Sequence, residues 1–143
     1  LTHAEHGYCL LYPEGYSTVN TSEDQVVLYV DFLLDVAHPK VFIEVGDAGG
    51  RDARTLAEEA AGELEAAMPG LSIERTSGLS IGNEPAFVLH NVPAQDISRQ
   101  VFVVHGDRLY KLTFVPVSED AGEVYAEMES AYELVMESFR FVD

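Results

Sequence analysis

Five histidines, one cysteine and a loop rich in glycine and aspartate are the parts of this chain whose residue types could do chemistry. His3, His6, His38, His90 and His105 titrate nearest neutrality, so each could move a proton at working pH. None falls in HExxH spacing, the pattern that brings two imidazoles to one helix face around zinc. His3 and His6, three residues apart near Leu1, are weak metal candidates, because terminal segments are usually mobile. His90 falls late in one expected strand and His105 at the opposite end of its neighbour, so antiparallel pairing separates them. A small hydrolase or other small-molecule enzyme would need His38, His90 or His105 beside a carboxylate in a pocket.

Cys9 lies between Tyr8 and Leu10 in an apolar run, a packing position rather than one with a base and an oxyanion hole at hand. As the one cysteine, it excludes an intrachain disulfide and a multi-cysteine zinc site. No GxSxG is present, and Ser77-Gly78 and Ser80-Ile81-Gly82 fall in strand and turn sequence without a strand-to-helix elbow. The loop Gly46-Asp47-Ala48-Gly49-Gly50-Arg51-Asp52 precedes a helix, whose free N–H groups with Arg51 and Arg54 could hold an anion. It lacks both GK[ST] and GxGxxG, so the plain reading is a loop that turns the chain. Asp47 and Asp52 are the candidate ligands if a divalent cation binds there instead. Carboxylate pairs such as Glu123 and Glu127 arise from helical spacing alone and read as solvated. No catalytic motif emerges and no cofactor is expected.

The charge balance narrows the partners. With 25 acidic against 8 basic residues the net charge is −17, which repels phosphate backbones and anionic lipid surfaces, so nucleic-acid binding is not expected. No run approaches the length of a membrane-spanning helix, since Asp31 and Asp35 interrupt the apolar stretch from Gln25 to Ala37. The opening at Leu1, in polar sequence with no leader-like charged and apolar regions, is the expectation for a mature or trimmed fragment. A chain of 143 residues fits one domain, 1–143, which at this size buries roughly 68–70% of its unfolded surface.

The elements that must position these residues follow from periodicity. Tyr8 to Tyr12 reads as a strand stopped by Pro13-Glu14-Gly15, with a second short strand at Tyr16 to Val19. Val26 to Leu34 and Val41 to Val45 read as strands, the second placing Val41, Ile43 and Val45 on one side. Leu56, Ala60, Leu64, Ala67 and Met68 recur at helical spacing before Pro69-Gly70. Leu71 to Leu79 alternates as a half-exposed strand, and Gly82-Asn83 makes a turn. Pro85 to Asn91, Ser98 to His105 and Arg108 to Val115 form a meander. Its last two strands join through Gly106-Asp107, so that His105 faces Arg108, Val103 faces Tyr110 and Val101 faces Leu112. The meander is apolar on both sides and calls for cover on both. A final helix supplies part of it, with Ser118 as N-cap and Tyr125, Met128, Tyr132, Val135 and Phe139 as the buried stripe. Arg140 stands at its negative end, beyond an outer face of glutamates.

This order of elements resembles the PsbP/Mog1-like superfamily. The matching pieces are Tyr8-Cys9-Leu10-Leu11-Tyr12-Pro13-Glu14-Gly15-Tyr16, the meander from Pro85 to Val115, and Ser138-Phe139-Arg140-Phe141. The resemblance implies an α+β fold, an α/β/α sandwich around a twisted antiparallel sheet. It also implies an exported bacterial domain or lipoprotein part, and it implies little about activity, since members include a photosystem extrinsic subunit, a Ran-binding protein and many bacterial domains of other kinds. It carries over no functional residue. The expectation is a noncatalytic, extracytoplasmic interaction domain; the alternatives are an enzyme with a spatially assembled site and a divalent-cation-binding accessory domain.

Overall fold

The computed structural model describes residues 1–31, 33, 38–93, 97–117 and 122–142. The elements run β1 (Thr2–His3), β2 (Tyr8–Cys9), β3 (Ser17–Ser22), β4 (Gln25–Tyr29), β5 (Lys40–Asp47), α1 (Ala53–Ala67), β6 (Glu74–Ile81), β7 (Glu84–Pro93), β8 (Ile97–His105), β9 (Arg108–Val115), α2 (Glu123–Ser138) and β10 (Arg140–Phe141). The main sheet has seven antiparallel strands in the order β3-β4-β5-β9-β8-β7-β6, and a small second sheet is ordered β1-β2-β10.

The meander pairs as its residue types predict, with Val101 opposite Leu112, Val103 opposite Tyr110 and His105 opposite Arg108. Alternation then sorts the sheet into two buried faces. Val41, Ile43, Val88, Val101, Val103, Leu112 and Phe114 pack with Met128, Ala131 and Val135 of α2. Phe87, Leu89 and Phe102 pack on the other side with Ala53, Leu56, Ala57 and Ala61 of α1. The architecture is therefore an α+β sandwich with one helix layer on each face of the antiparallel sheet, as expected.

Several local expectations are corrected. The buried stripe of α1 runs through Ala53, Leu56, Ala57 and Ala61, while Met68 is the C-cap and 44% exposed. Leu56 belongs to that stripe as its spacing implied, and Ala60 and Leu64 pack partly buried at its side. In α2, Ala131 joins the buried stripe and Tyr125 and Tyr132 are only half-buried. The proposed N-cap Ser118 and the residues after Asp31 in the Val26–Leu34 run fall largely outside the described residues. The first aromatic run forms two paired residues rather than five, because Tyr8 and Cys9 face β10 on one side and β1 on the other.

That small sheet joins the two ends of the chain to the core. The fully buried Tyr8 stacks on Phe139 at 5.4 Å and meets Tyr110 edge-on at 6.0 Å. The Tyr110 hydroxyl donates to the His6 carbonyl at 2.6 Å, and the Val142 N–H donates to the Gly7 carbonyl at 2.8 Å. Phe141 reaches from there to the turn between β6 and β7. Both turn residues, Gly82 at φ +56° and Asn83 at φ +70°, are left-handed, as a two-residue type I′ hairpin requires. At Gly82 a Cβ would also lie 2.7 Å from the Phe141 ring. Replacing Gly82 by Ala is expected to cost about 1–3 kcal/mol, from strained backbone and a displaced ring together. A lowered urea midpoint with an unchanged slope is the readout; a midpoint equal to wild type would show that Phe141 yields freely.

Candidate functional site

The β6–β7 hairpin carries two grooves, one on each side of the sheet. Its geometry begins at the turn. In a type I′ hairpin the residues flanking the turn, Ile81 and Glu84, form the hydrogen-bonded pair, so the next pair, Ser80 and Pro85, is not hydrogen-bonded. The N–H and C=O of Ser80 therefore point away from β7, toward the open side of β6, which is the last strand of the sheet. Leu79 is 41% exposed at this edge. Further back, the ladder slips between Thr76 and Leu79 around Gly78, at φ +85°. Arg75 fastens that earlier part of β6 to α1 through Glu65 at 2.9 Å and Glu58 at 3.2 Å.

On the α1 side lies a mainly apolar groove of about 540 Å³, with Ala53, Arg54, Leu79, Pro85, Phe87 and Val104 among its walls. The Arg54 guanidinium sits 5.8 Å from the centre of the Phe87 ring, within cation–π range. The rim is the loop expected to turn the chain, and its carboxylates bind its own backbone. Asp47 Oδ1 accepts from the Gly49 N–H at 2.9 Å and Asp107 Oδ1 from the Gly50 N–H at 2.8 Å. Asp52 Oδ1 accepts from the Thr55 N–H at 2.8 Å and so caps α1. That bond holds the Asp52 carboxyl below its ordinary pKa. Arg51 donates to the Ala48 carbonyl and pairs with Glu59. Asp47 thus holds an N–H group of the loop and Asp52 one of the first turn of α1. Among the described residues no three His, Cys, Asp or Glu side chains are grouped to hold a metal ion.

On the α2 side lies a groove of about 590 Å³ whose lining includes Leu79, Ile81, Tyr132, Met136, Glu133 and Glu137. Its wall is braced from below, since Arg99 lies 4.4 Å from the Tyr132 ring centre and pairs with Glu129 at 2.9 Å. Burial raises the Tyr132 pKa. Glu133 and Glu137 are exposed and one helical turn apart, so they repel each other. Arg140 donates to the backbone carbonyls of Glu137 and Phe139, completing the helix end as its position implied.

The histidines are dispersed. His3 and His6 stack at 4.8 Å, and His6 Nε2 lies 2.8 Å from the Glu23 carbonyl and 3.6 Å from Asp24. His6 and Asp24 border a third groove, of about 450 Å³, together with Asp47 and Arg108. His38 lies between Asp31 at 3.6 Å and Glu127 at 3.4 Å. His105 stacks on Phe141 at 4.2 Å with Glu84 3.8 Å away. His90, at the far end of β7 from Glu84, is 2.8 Å from Thr76 Oγ1. None of His38, His90 and His105 lines any of the three grooves. Cys9 is half-buried in the small sheet. None of the groove residues Leu79, Phe87, Tyr132 and Met136 was marked in the sequence as a site residue; Leu79 and Tyr132 stood there only as strand and helix positions. Their one local signal is a leucine in a half-exposed strand just before a two-residue turn.

No family model matches the chain, and no curated protein sequence matches it significantly. Solved structures do. The solution structure of cyanobacterial PsbP (CyanoP) from Synechocystis sp. PCC 6803 is similar at a TM-score of 0.66 and 13% identity, covering 99% of this chain and 90% of that one. The crystal structure of LpqN of Mycobacterium tuberculosis, described as involved in cell envelope biogenesis, is similar at a TM-score of 0.57 and 14% identity, covering 95% and 83%. A protein from Bacteroides thetaiotaomicron VPI-5482 is similar at a TM-score of 0.53 and 12% identity, with 95% of this chain covering 45% of that one. The fold is PsbP-like, as the aromatic turn, meander and final helix indicated.

The environment of His90 has a measurable consequence. Burial, and then the Arg99 charge, lower its pKa, against the weaker opposing pull of Glu74 and Glu129. A base with a lowered folded pKa binds fewer protons folded than unfolded, so stability falls as pH drops through the ordinary histidine value of about 6.5. His90→Gln is expected to lose less stability than wild type between pH 7.5 and 5.5 in urea titrations. Parallel losses in the two proteins would remove His90 from the acid response.

Proposed function

We propose that this PsbP-like domain is a noncatalytic binding module that works outside the cytoplasm and holds a protein partner at the β6–β7 hairpin. The observation that carries the reading is the pair of grooves on opposite faces of one open sheet edge, with Leu79 exposed between them. Elsewhere the large apolar side chains of the meander are covered by α1 and α2. An apolar, partly polar-rimmed surface at the point where that cover ends has the composition of an interaction site. The extracytoplasmic placement is supported by likeness to LpqN, which is described as acting in cell envelope biogenesis. No helix among the described residues is long and apolar enough to cross a membrane. The charge of −17 disfavours nucleic acid and anionic lipid as the thing bound.

The 540 Å³ groove is also of a size that takes a small molecule, so one experiment must separate the readings. Melting the purified protein with Ca²⁺, Mn²⁺, Zn²⁺ and a metabolite panel is expected to leave Tm unchanged. A ligand at a hundredfold its Kd would add about 2.7 kcal/mol, or roughly 5–10 °C at this size. A photo-crosslinking side chain at position 79, in cells that naturally make the chain, is expected to yield an adduct of defined mass. The same group at exposed position 20 of β3 should not. A selective Tm rise with a cation would transfer the function to Asp47 and Asp52. A rise with a metabolite, with no adduct at 79, would transfer it to small-molecule binding.

A further inference from the structure

We infer that the β6 edge receives an extended segment of the partner by strand addition, and that this segment alternates apolar with basic residues. The inference rests on the partner-binding reading and deepens it. In a strand, successive side chains point to opposite faces of the sheet. A segment laid along the outer side of Leu79–Ile81 would therefore send alternate side chains into the α1-side and α2-side grooves, which meet at Leu79. The two grooves differ chemically, and that difference sets the pattern. On the α1 side, Ala53, Pro85, Phe87 and Val104 offer an apolar wall that suits an apolar side chain, and Arg51 and Arg54 at its rim are offset by Asp52, Glu84 and Asp107. On the α2 side, Glu133 and Glu137 stand exposed and, among the described residues, in no ion pair. They outnumber Arg140, whose guanidinium is held on the Glu137 and Phe139 carbonyls, and their mutual repulsion is relieved by a lysine or arginine.

The backbone supplies the register. Ser80 presents its N–H and C=O outward, whereas Ile81 spends its own on Glu84. The slip around Gly78 and the Arg75 bridges to α1 end the receptive stretch on its other side. With so few main-chain bonds on offer, side-chain complementarity must supply the selectivity. The opposite sheet edge, β3, is serine, threonine and asparagine with one half-buried valine, and none of its residues lines either groove. A second copy of this chain is the wrong occupant on charge. Pairing two β6 edges would bring Glu84, Glu133 and Glu137 of one copy against the same residues of the other, with −17 on each chain.

The test uses the intact protein and a fluorescein-labelled decapeptide of alternating valine and lysine. One control peptide replaces lysine by glutamate; the other keeps five valines and five lysines but breaks the alternation. Expected are saturable anisotropy, at least tenfold tighter than with either control, and new exchange protection of the Ser80 amide by NMR. Ser80→Pro, which removes the outward N–H, is expected to weaken binding at least tenfold. Glu133→Lys with Glu137→Lys is expected to do the same and to flatten the salt dependence. Should Ser80→Pro not fold, the Ser80 amide in wild type decides. Equal binding of the two lysine peptides, an unprotected Ser80 amide, or wild-type affinity in folded Ser80→Pro would overturn strand addition. So would sedimentation showing a dimer that Leu79→Asp dissolves. An adduct at position 79 with no peptide binding would sink this inference alone; loss of both signals would sink the partner-binding reading too.

Discussion

Everything in this fold answers to a sheet that is apolar on both faces. In β8, Val101 and Val103 alternate with Phe102 and Val104; in β9, Tyr110, Leu112 and Phe114 alternate with Leu109 and Thr113. Neither face can be left in water, at roughly 25 cal/mol for each Å² of apolar surface, so a helix must lie on each. Two helices of 15 and 16 residues reach a little over 20 Å at 1.5 Å per residue, which covers the centre of a seven-stranded sheet and leaves its margins to other devices. One margin is closed by the terminal strands, where Tyr8, Phe139 and Phe141 pack beneath Tyr110. At the β6–β7 hairpin the helices run out, and the two grooves are what remains.

The charge distribution follows from how the few cations are employed. Arg75 joins β6 to α1, Arg99 joins β8 to α2, Lys111 meets Glu44 across the β5–β9 pair, and Arg51 meets Glu59 along α1. Arg140 closes the end of α2, Arg108 bonds the Glu5 carbonyl, and Arg54 lies over Phe87. Lys40 is almost wholly buried. These eight residues are all engaged within the chain and are outnumbered by 25 acidic ones, so most of the acidic surface is left without compensation from lysine or arginine. Exposed ion pairs contribute little stability each, and this arrangement is better understood as setting the field around the molecule than as holding it together.

Much of this was legible in the sequence. The meander register followed from a two-residue loop and alternation, because Gly106 and Asp107 both take the left-handed backbone that such a loop needs. The small sheet was not legible. Its strands are two residues long, and Arg140 and Phe141 find Cys9 and Tyr8 across nearly the whole chain, so no local pattern records the pairing. The buried line of α1 was only partly legible: Leu56 lies on it with Ala60 and Leu64 at its side, but Ala53, Ala57 and Ala61 carry too little apolar weight to stand out. Asp47 and Asp52 drew attention by residue type, but such carboxylates also satisfy backbone N–H groups, and here Asp47 holds one of the loop and Asp52 one at the start of α1. The grooves depend on where a hairpin sits relative to two helices distant in sequence, which no spacing encodes.

An open strand edge is a hazard that folds usually blunt with bulges, charge or covering elements. β6 uses two of these devices over its first half, where the ladder slips around Gly78 and Arg75 is drawn onto α1. The second half is treated differently. Ile81 is buried, Leu79 is exposed, and Ser80 offers its backbone outward between two grooves. Turn chemistry fixes that stretch, since a side chain at Gly82 would meet both a left-handed backbone and the Phe141 ring. A short, rigid, unblunted edge inside an acidic surface has protection of another kind. Identical copies repel before their edges can meet, whereas a basic chain is drawn toward the same place. Charge of one sign on every copy thus opposes edge-to-edge pairing, as a longer bulge does elsewhere.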